Sequence, residues 1–157
     1  WPVKVATDGP IAVPYVPLST TIAALSAIPA PANPNSQPRT RFMPTETTVF
    51  SVDATMTLIK HEADGAYHIV IRDDAGRTMI VESPDPVCAK GSYVGQYIAA
   101  VRAAIDQHFG GAITKPKTGL AVPVTVSGIG FFDLCHGQTG RAPSCIELHP
   151  LLNIVFK

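Results

Sequence analysis

The sequence predicts a mainly β protein: a five-stranded, OB-fold-like barrel with one helix between strands three and four, preceded by a proline-rich N-terminal arm. Three observations carry that expectation. Three strand-like runs precede a helical run and two more strand-like runs follow it, which is the element order of such a barrel. YHIVIR alternates cleanly between two faces, as a half-buried strand must. Nine of the fifteen prolines fall in residues 1–47, a density that removes backbone donors and fixes φ.

Residues 1–47 are therefore expected to form an extended arm packed on a barrel of residues 48–157. The arm also carries Val3, Val5, Ile11, Val13, Tyr15 and Leu18, too many apolar groups for a purely solvated tail. Within it, TTIAALSA at Thr20–Ala27 suits a short helix capped by Ser19 or Thr20, with Pro29 just beyond.

Val49–Lys60 is rich in β-formers and is expected to be strand one. HEADG then turns the chain, leading into Tyr67–Arg72. DDAG turns it again into Arg77–Glu82. From Tyr93 to Phe109, the residues Tyr93, Tyr97, Ile98, Val101, Ile105 and Phe109 make one apolar stripe, with Ser92 as cap and Gly110-Gly111 as terminator. AITKPKTGLAVP reads as a loop, and Val124–Phe132 and Ile146–Phe156 as the last two strands. Pro123 then stands at a strand start, where its missing donor is tolerable.

Composition bounds the function. Hydrophobic residues make up 46% of the chain, charged residues 15%, and the formal net charge is zero. Duplex nucleic acid and anionic membranes both need clustered positive charge, so neither is an expected partner, and no run is long enough to span a bilayer. No cofactor motif is present. The chain begins at Trp1, read as the mark of a removed secretory signal, with an artificial start as the alternative. Few lysines and abundant Thr, Ser and Pro suit a secreted or periplasmic location. Three cysteines allow three pairings. In an exported protein Cys135–Cys145, at the two ends of one loop, is the expected bridge and Cys88 stays free; reduced, all three would act as small apolar residues.

Candidate chemistry concentrates in VTVSGIGFFDLCHGQTGRAPSCIELHP. Glu147 and His149 are two apart in a strand, so they share a face and form an outward polar pair if Ile146 and Leu148 point inward. With Asp133, His136 and Gln138 nearby, they could organise the loop or bind a ligand, and His136, Glu147 and His149 are residue types that ligate transition metals. His68 and Arg72 lie on the strand-two face that such barrels commonly use for ligands. Asp53, Arg72, Arg77 and Glu82 supply the residue types of a thermonuclease-like, metal-dependent phosphodiesterase, although not in that family's motif order.

The segments WPVK, TTIAAL, ETTVF, HEADGAYHIVI, RTMIVESPDPVC and GIGFFDLCHGQTGRAPSCIELHP together resemble a family of exported bacterial proteins of unknown function that end in an E-L-H-P strand. The resemblance covers nearly the whole chain, arm included. It implies a secreted or periplasmic OB-like domain with a structured HGQTG loop, and it supplies no activity, cofactor or ligand. The expected function is accordingly a binding or assembly module with an unidentified ligand or protein partner. Two alternatives stand beside it: the phosphodiesterase, and a structural subunit that forms homo-oligomers by lending its arm to a neighbour.

Overall fold

The computed structural model describes residues 2–9, 16–32 and 40–157. Its main feature is a single six-stranded mixed sheet, rather than the five strands expected. The strands are β1 (Leu18–Thr20), β2 (Val49–His61), β3 (Tyr67–Arg72), β4 (Thr78–Ser83), β5 (Lys117–Phe132) and β6 (Ile146–Phe156). Helix α1 (Ile22–Ser26) follows β1, α2 (Gly95–Phe109) lies between β4 and β5, and Thr45–Thr47 makes one 3-10 turn. The sheet order is β1-β2-β3-β4-β6-β5, and β5 also pairs with β2. Hydrogen bonds thus run in a ring, but the ring is not a regular barrel.

Three causes of the irregularity are visible. β1 is an extra strand, parallel to β2, with Leu18 opposite Phe50. A bulge interrupts β2, where Met56 faces Ile71 and Leu58 faces Val70, so that Thr57 has no opposite residue. Two further register shifts bend β6 around β5 near Gly128 and Gly130. Gly130 is needed there, because a β-carbon would collide with the Thr45 carbonyl and the Phe50 ring.

Several boundaries move from their expected places. β5 begins at Lys117, not Val124, because Thr118 and Lys117 pair with Leu58 and Ile59 at the far end of the long β2. Pro123 is consequently inside the strand. Its carbonyl accepts from Lys157 N at 3.0 Å, so its missing N–H faces the end of β6, where only one bond is forgone. β4 begins one residue later than expected, since Arg77 N still donates to Asp73 Oδ1 in the turn. α1 is shorter than expected and is capped by Thr21, whose Oγ1 accepts from Ala24 N. α2 starts at Gly95, two residues beyond the expected first turn; Ser92 Oγ instead caps the preceding turn by accepting from Val94 N. Gly110, at φ 74°, ends it as expected.

Alternation sorts the strands into two faces. Tyr67, Ile69, Ile71, Met79, Val81, Ile146 and Leu148 point into the core with Met56, Ile59, Val124 and Val126. Val101 and Ile105 of α2 close that core, while Ile98 and Val94 pack against Val5 and Ala6 of the N-terminal segment. A polar link centred on Tyr67 helps tie the helix to the ring. Tyr67 Oη donates to Asp106 Oδ1 at 2.7 Å and accepts from Ile113 N at 2.9 Å, under the Arg102 guanidinium stacked on its ring. Tyr67→Phe strands the buried Ile113 N–H, at a cost of about 1–3 kcal/mol. Calorimetry should register a fall in Tm of roughly 2–10 °C, and an unchanged Tm would contradict this role.

Candidate functional site

The opposite face of β3, β4 and β6 carries His68, Glu82, Glu147 and His149. Register sets their positions: His68 stands directly across from Glu82, and Glu147 across from Ile80, two residues along from Glu82. Such a face would ordinarily meet water. Here two segments cover it. Residues 2–9 lie over β6, with Lys4 O 2.6 Å from His149 Nδ1. The loop between β5 and β6 lies over β3, with Thr139 O 3.2 Å from His68 Nε2 and Gly140 pressed against Val70. Gly140 sits at φ 83°, and a side chain there would have no room above Val70.

Glu147 and His149 thus face away from the core, as alternation requires, yet they are only 1% and 2% exposed. The polar pair is outward but not solvated. The sequence expectation of a surface pair is corrected by the cover that residues 2–9 supply.

Both covering segments are themselves pinned. Asp8 receives a bidentate grip from Arg41 at 2.7 and 2.8 Å, and Arg41 also donates to Val3 O, Glu46 O and Tyr93 Oη. Cys135 and Cys145 form a disulfide with Cα atoms 5.5 Å apart, which closes the loop, while Cys88 is free and exposed. Asp133 N donates to Cys145 O at the base of the same loop.

At the centre is the Glu82 carboxylate. Its Oε1 is 3.1 Å from His68 Nδ1 and its Oε2 is 3.1 Å from His149 Nε2. The Lys4 ammonium lies 3.6 Å from Glu82, 3.3 Å from Asp133 and 3.7 Å from Glu147. Gln138 Nε2 donates to Asp133 Oδ2 at 3.3 Å. Burial disfavours ionised Glu82, but the histidine hydrogen bonds and the charges of His149 and Lys4 outweigh it and hold the carboxyl far below its ordinary range. For Glu147 burial prevails, reinforced by the negative charge of Glu82, and its carboxyl is raised well above its ordinary value. Burial also opposes the charge on Lys4, but Glu147, Glu82 and Asp133 together push its ammonium above the ordinary lysine value. His149 is lowered, chiefly by burial. The cluster joins an ionised Glu82 and Lys4 to a Glu147 carboxyl that burial and the Glu82 charge shift toward its neutral form.

Of the predicted site residues, the structure brings together His68, Asp133, Gln138, Glu147 and His149. It adds Lys4, which sequence reasoning missed, and Glu82, which the sequence places on the same ligand-binding face as His68 and in the phosphodiesterase set. His136 does not join Glu147 and His149; it is exposed on the wall of an open polar cleft of about 570 Å³, lined also by Lys4, Lys60, Glu62, Asp64, Glu82, Asp133 and Gln138. Arg72 is exposed at the end of β3. Asp53 is exposed on β2 and pairs with Lys157, and Arg77 pairs with Asp73. Asp53, Arg77 and Glu82 therefore have separate partners, and Asp53 and Glu82 line different clefts. No known family model matches the chain, and no curated protein matches it.

Two outcomes test the site. The Glu147 carboxyl is raised in the folded chain, so its contribution is full below its unfolded value near 4.5 and is lost as pH rises from there toward its raised folded value. Glu147→Gln should match the wild type in urea melts at pH 4 and exceed it increasingly toward pH 8; a constant gap would refute the assignment. Replacing Cys135 and Cys145 together with Ser should cost roughly 2–4 kcal/mol in the same melts, by freeing the loop in the unfolded chain. No loss would show that the bridge does not hold the cover in place.

Proposed function

We propose that the protein is an exported binding module, not an enzyme, and that its ligand surface is the cleft beside Lys4. The observation that carries this reading is the saturation of the convergent titratable groups. Glu82 is taken by two histidines, both nitrogens of His68 and of His149 face acceptors, and Lys4 is shared among three carboxylates. A general acid or base needs a reachable proton position, whereas these groups face one another. Their work is to clamp residues 2–9 and the bridged loop on the sheet, and those two segments supply walls of the cleft. Lys60, Glu62, Asp64, His136 and Gln138 offer both charges and several hydrogen bonds, the equipment for a small polar ligand.

The closed ring of β2, β3, β4, β6 and β5, with a helix between β4 and β5, supports an OB-like reading of the architecture. Export is supported by the disulfide, which persists in oxidising surroundings, and by the sequence resemblance. No helix among the described residues is long and apolar enough to cross a membrane. Assembly through a lent arm is less favoured, because residues 2–9 are bound within their own chain by Arg41 and His149.

The test is amide chemical-shift mapping with mixtures of free amino acids and of small oligosaccharides. Shifts should gather at residues 60–64 and 136–139. Shifts confined to the cleft of Asp53, Asp73 and Lys157 would overturn the location. Hydrolysis of bis(p-nitrophenyl) phosphate with Mg2+ or Ca2+, abolished by Asp53→Asn, would replace the binding module with the phosphodiesterase.

A further inference from the structure

We propose that Glu82, Glu147 and His149 form a site for one divalent transition-metal ion, which competes with the Lys4 ammonium for the same position. One donor atom from each of the three residues lies within 4.8 Å of the other two. Glu82 Oε2 and His149 Nε2 are 3.1 Å apart. Tetrahedral Zn2+ with donors at about 2.0–2.2 Å separates its ligand atoms by roughly 3.3–3.5 Å, a spacing that Glu82 and His149 nearly have and that Glu147 reaches by closing from within 4.8 Å.

An independent feature points to a ligand here. Glu147 Oε1 is buried and has no hydrogen-bond partner, in a residue only 1% exposed. Its nearest counter-charge, Lys4 Nζ, is 3.7 Å away, beyond hydrogen-bonding distance. A buried carboxyl oxygen without a partner is costly, and a cation between it and Glu82, entering as Glu147 gives up its proton, would satisfy both.

The surrounding contacts are those that orient metal ligands. His149 Nδ1 is held by the Lys4 carbonyl at 2.6 Å, which directs Nε2 inward as the coordinating nitrogen. The second oxygen of Glu82 is held by His68 Nδ1 at 3.1 Å, so Oε2, now paired with His149 Nε2, is the oxygen that turns to the metal. Lys4 and Glu82 line the open cleft, which gives an ion a path inward. Displaced from Glu82 and Glu147, the Lys4 ammonium keeps Asp133, 3.3 Å away, as a partner. Once the protons on Glu147 and on His149 Nε2 pass to solvent, two carboxylates and a neutral imidazole balance a dication, and the nitrogen donor favours Zn2+ over Ca2+ or Mg2+.

The experiment uses tag-free Cys88→Ser protein, stripped with chelator and dialysed, then titrated with ZnCl2 by calorimetry, with metal content measured by mass spectrometry. One Zn2+ per chain is expected. Glu147→Gln and His149→Gln should each lose at least tenfold in affinity, and His68→Gln roughly tenfold through its hold on Glu82. Lys4→Met should gain at least about tenfold, because a positive charge leaves the site. Zn2+ should raise the Tm of the wild type and of Lys4→Met but not that of Glu147→Gln. Failure of both wild type and Lys4→Met to bind, with native circular dichroism, overturns the site. So does binding by Lys4→Met alone, or stoichiometric binding that Glu147→Gln and His149→Gln leave unchanged. The Lys4→Met and wild-type arms keep the test decisive even where a ligand variant fails to fold.

Discussion

The Glu82 carboxylate, placed on the outer face of a sheet and then roofed over, is the constraint on which the outer layer depends. A carboxylate in that position is expensive to bury unless each oxygen finds a donor. His68 answers one oxygen from the neighbouring strand and His149 answers the other from β6. Each histidine in turn reaches a carbonyl of a covering segment, Thr139 in the bridged loop and Lys4 in the N-terminal segment. The charge therefore specifies where both covers sit. Lys4 completes the arrangement from above, and its place among three carboxylates is what raises its ammonium above the ordinary value.

The apolar core alone would not fix that outer layer. Core residues hold the ring and α2 together through nondirectional burial, which tolerates sliding. Hydrogen-bonded charge does not, because a shift of about 1 Å would strand an oxygen. The covers are also secured from outside the cluster. Arg41 grips Asp8 with two bonds, and the Cys135–Cys145 bridge shortens the loop before it folds over β3. Two independent clamps on each cover explain how short segments of irregular backbone stay against a sheet face that is polar at its centre.

Much of the ring was legible because alternation is a local property. YHIVIR and the run from Ile146 to Phe156 match β3 and β6 without adjustment, and the stripe through Ile98, Val101 and Ile105 does face the interior. β1 was missed because three residues, two exposed and one half-buried, carry no periodicity, and the start of β5 was missed because Pro116, Gly119 and Pro123 mimic a loop. Only the length of β2 reveals that Lys117 and Thr118 have a partner. The site divides in the same way. Asp133, Gln138, Glu147 and His149 are near one another in sequence and were grouped on that basis. Lys4 comes from 129 residues away, and nothing local announces it. Glu82 did leave a signal: the turn that pairs Arg72 with Thr78 also sets His68 opposite Glu82, so the hairpin's own symmetry contained that contact.

Native-state hydrogen exchange on Glu82→Gln, compared with the wild type, tests the central role of Glu82 most directly. An amide keeps the volume but loses the charge and one acceptor position. The account predicts faster exchange in residues 2–9 and 134–144, with protection in β2 and β5 retained. Unchanged protection of both covers, or an equal loss across the whole sheet, would contradict it.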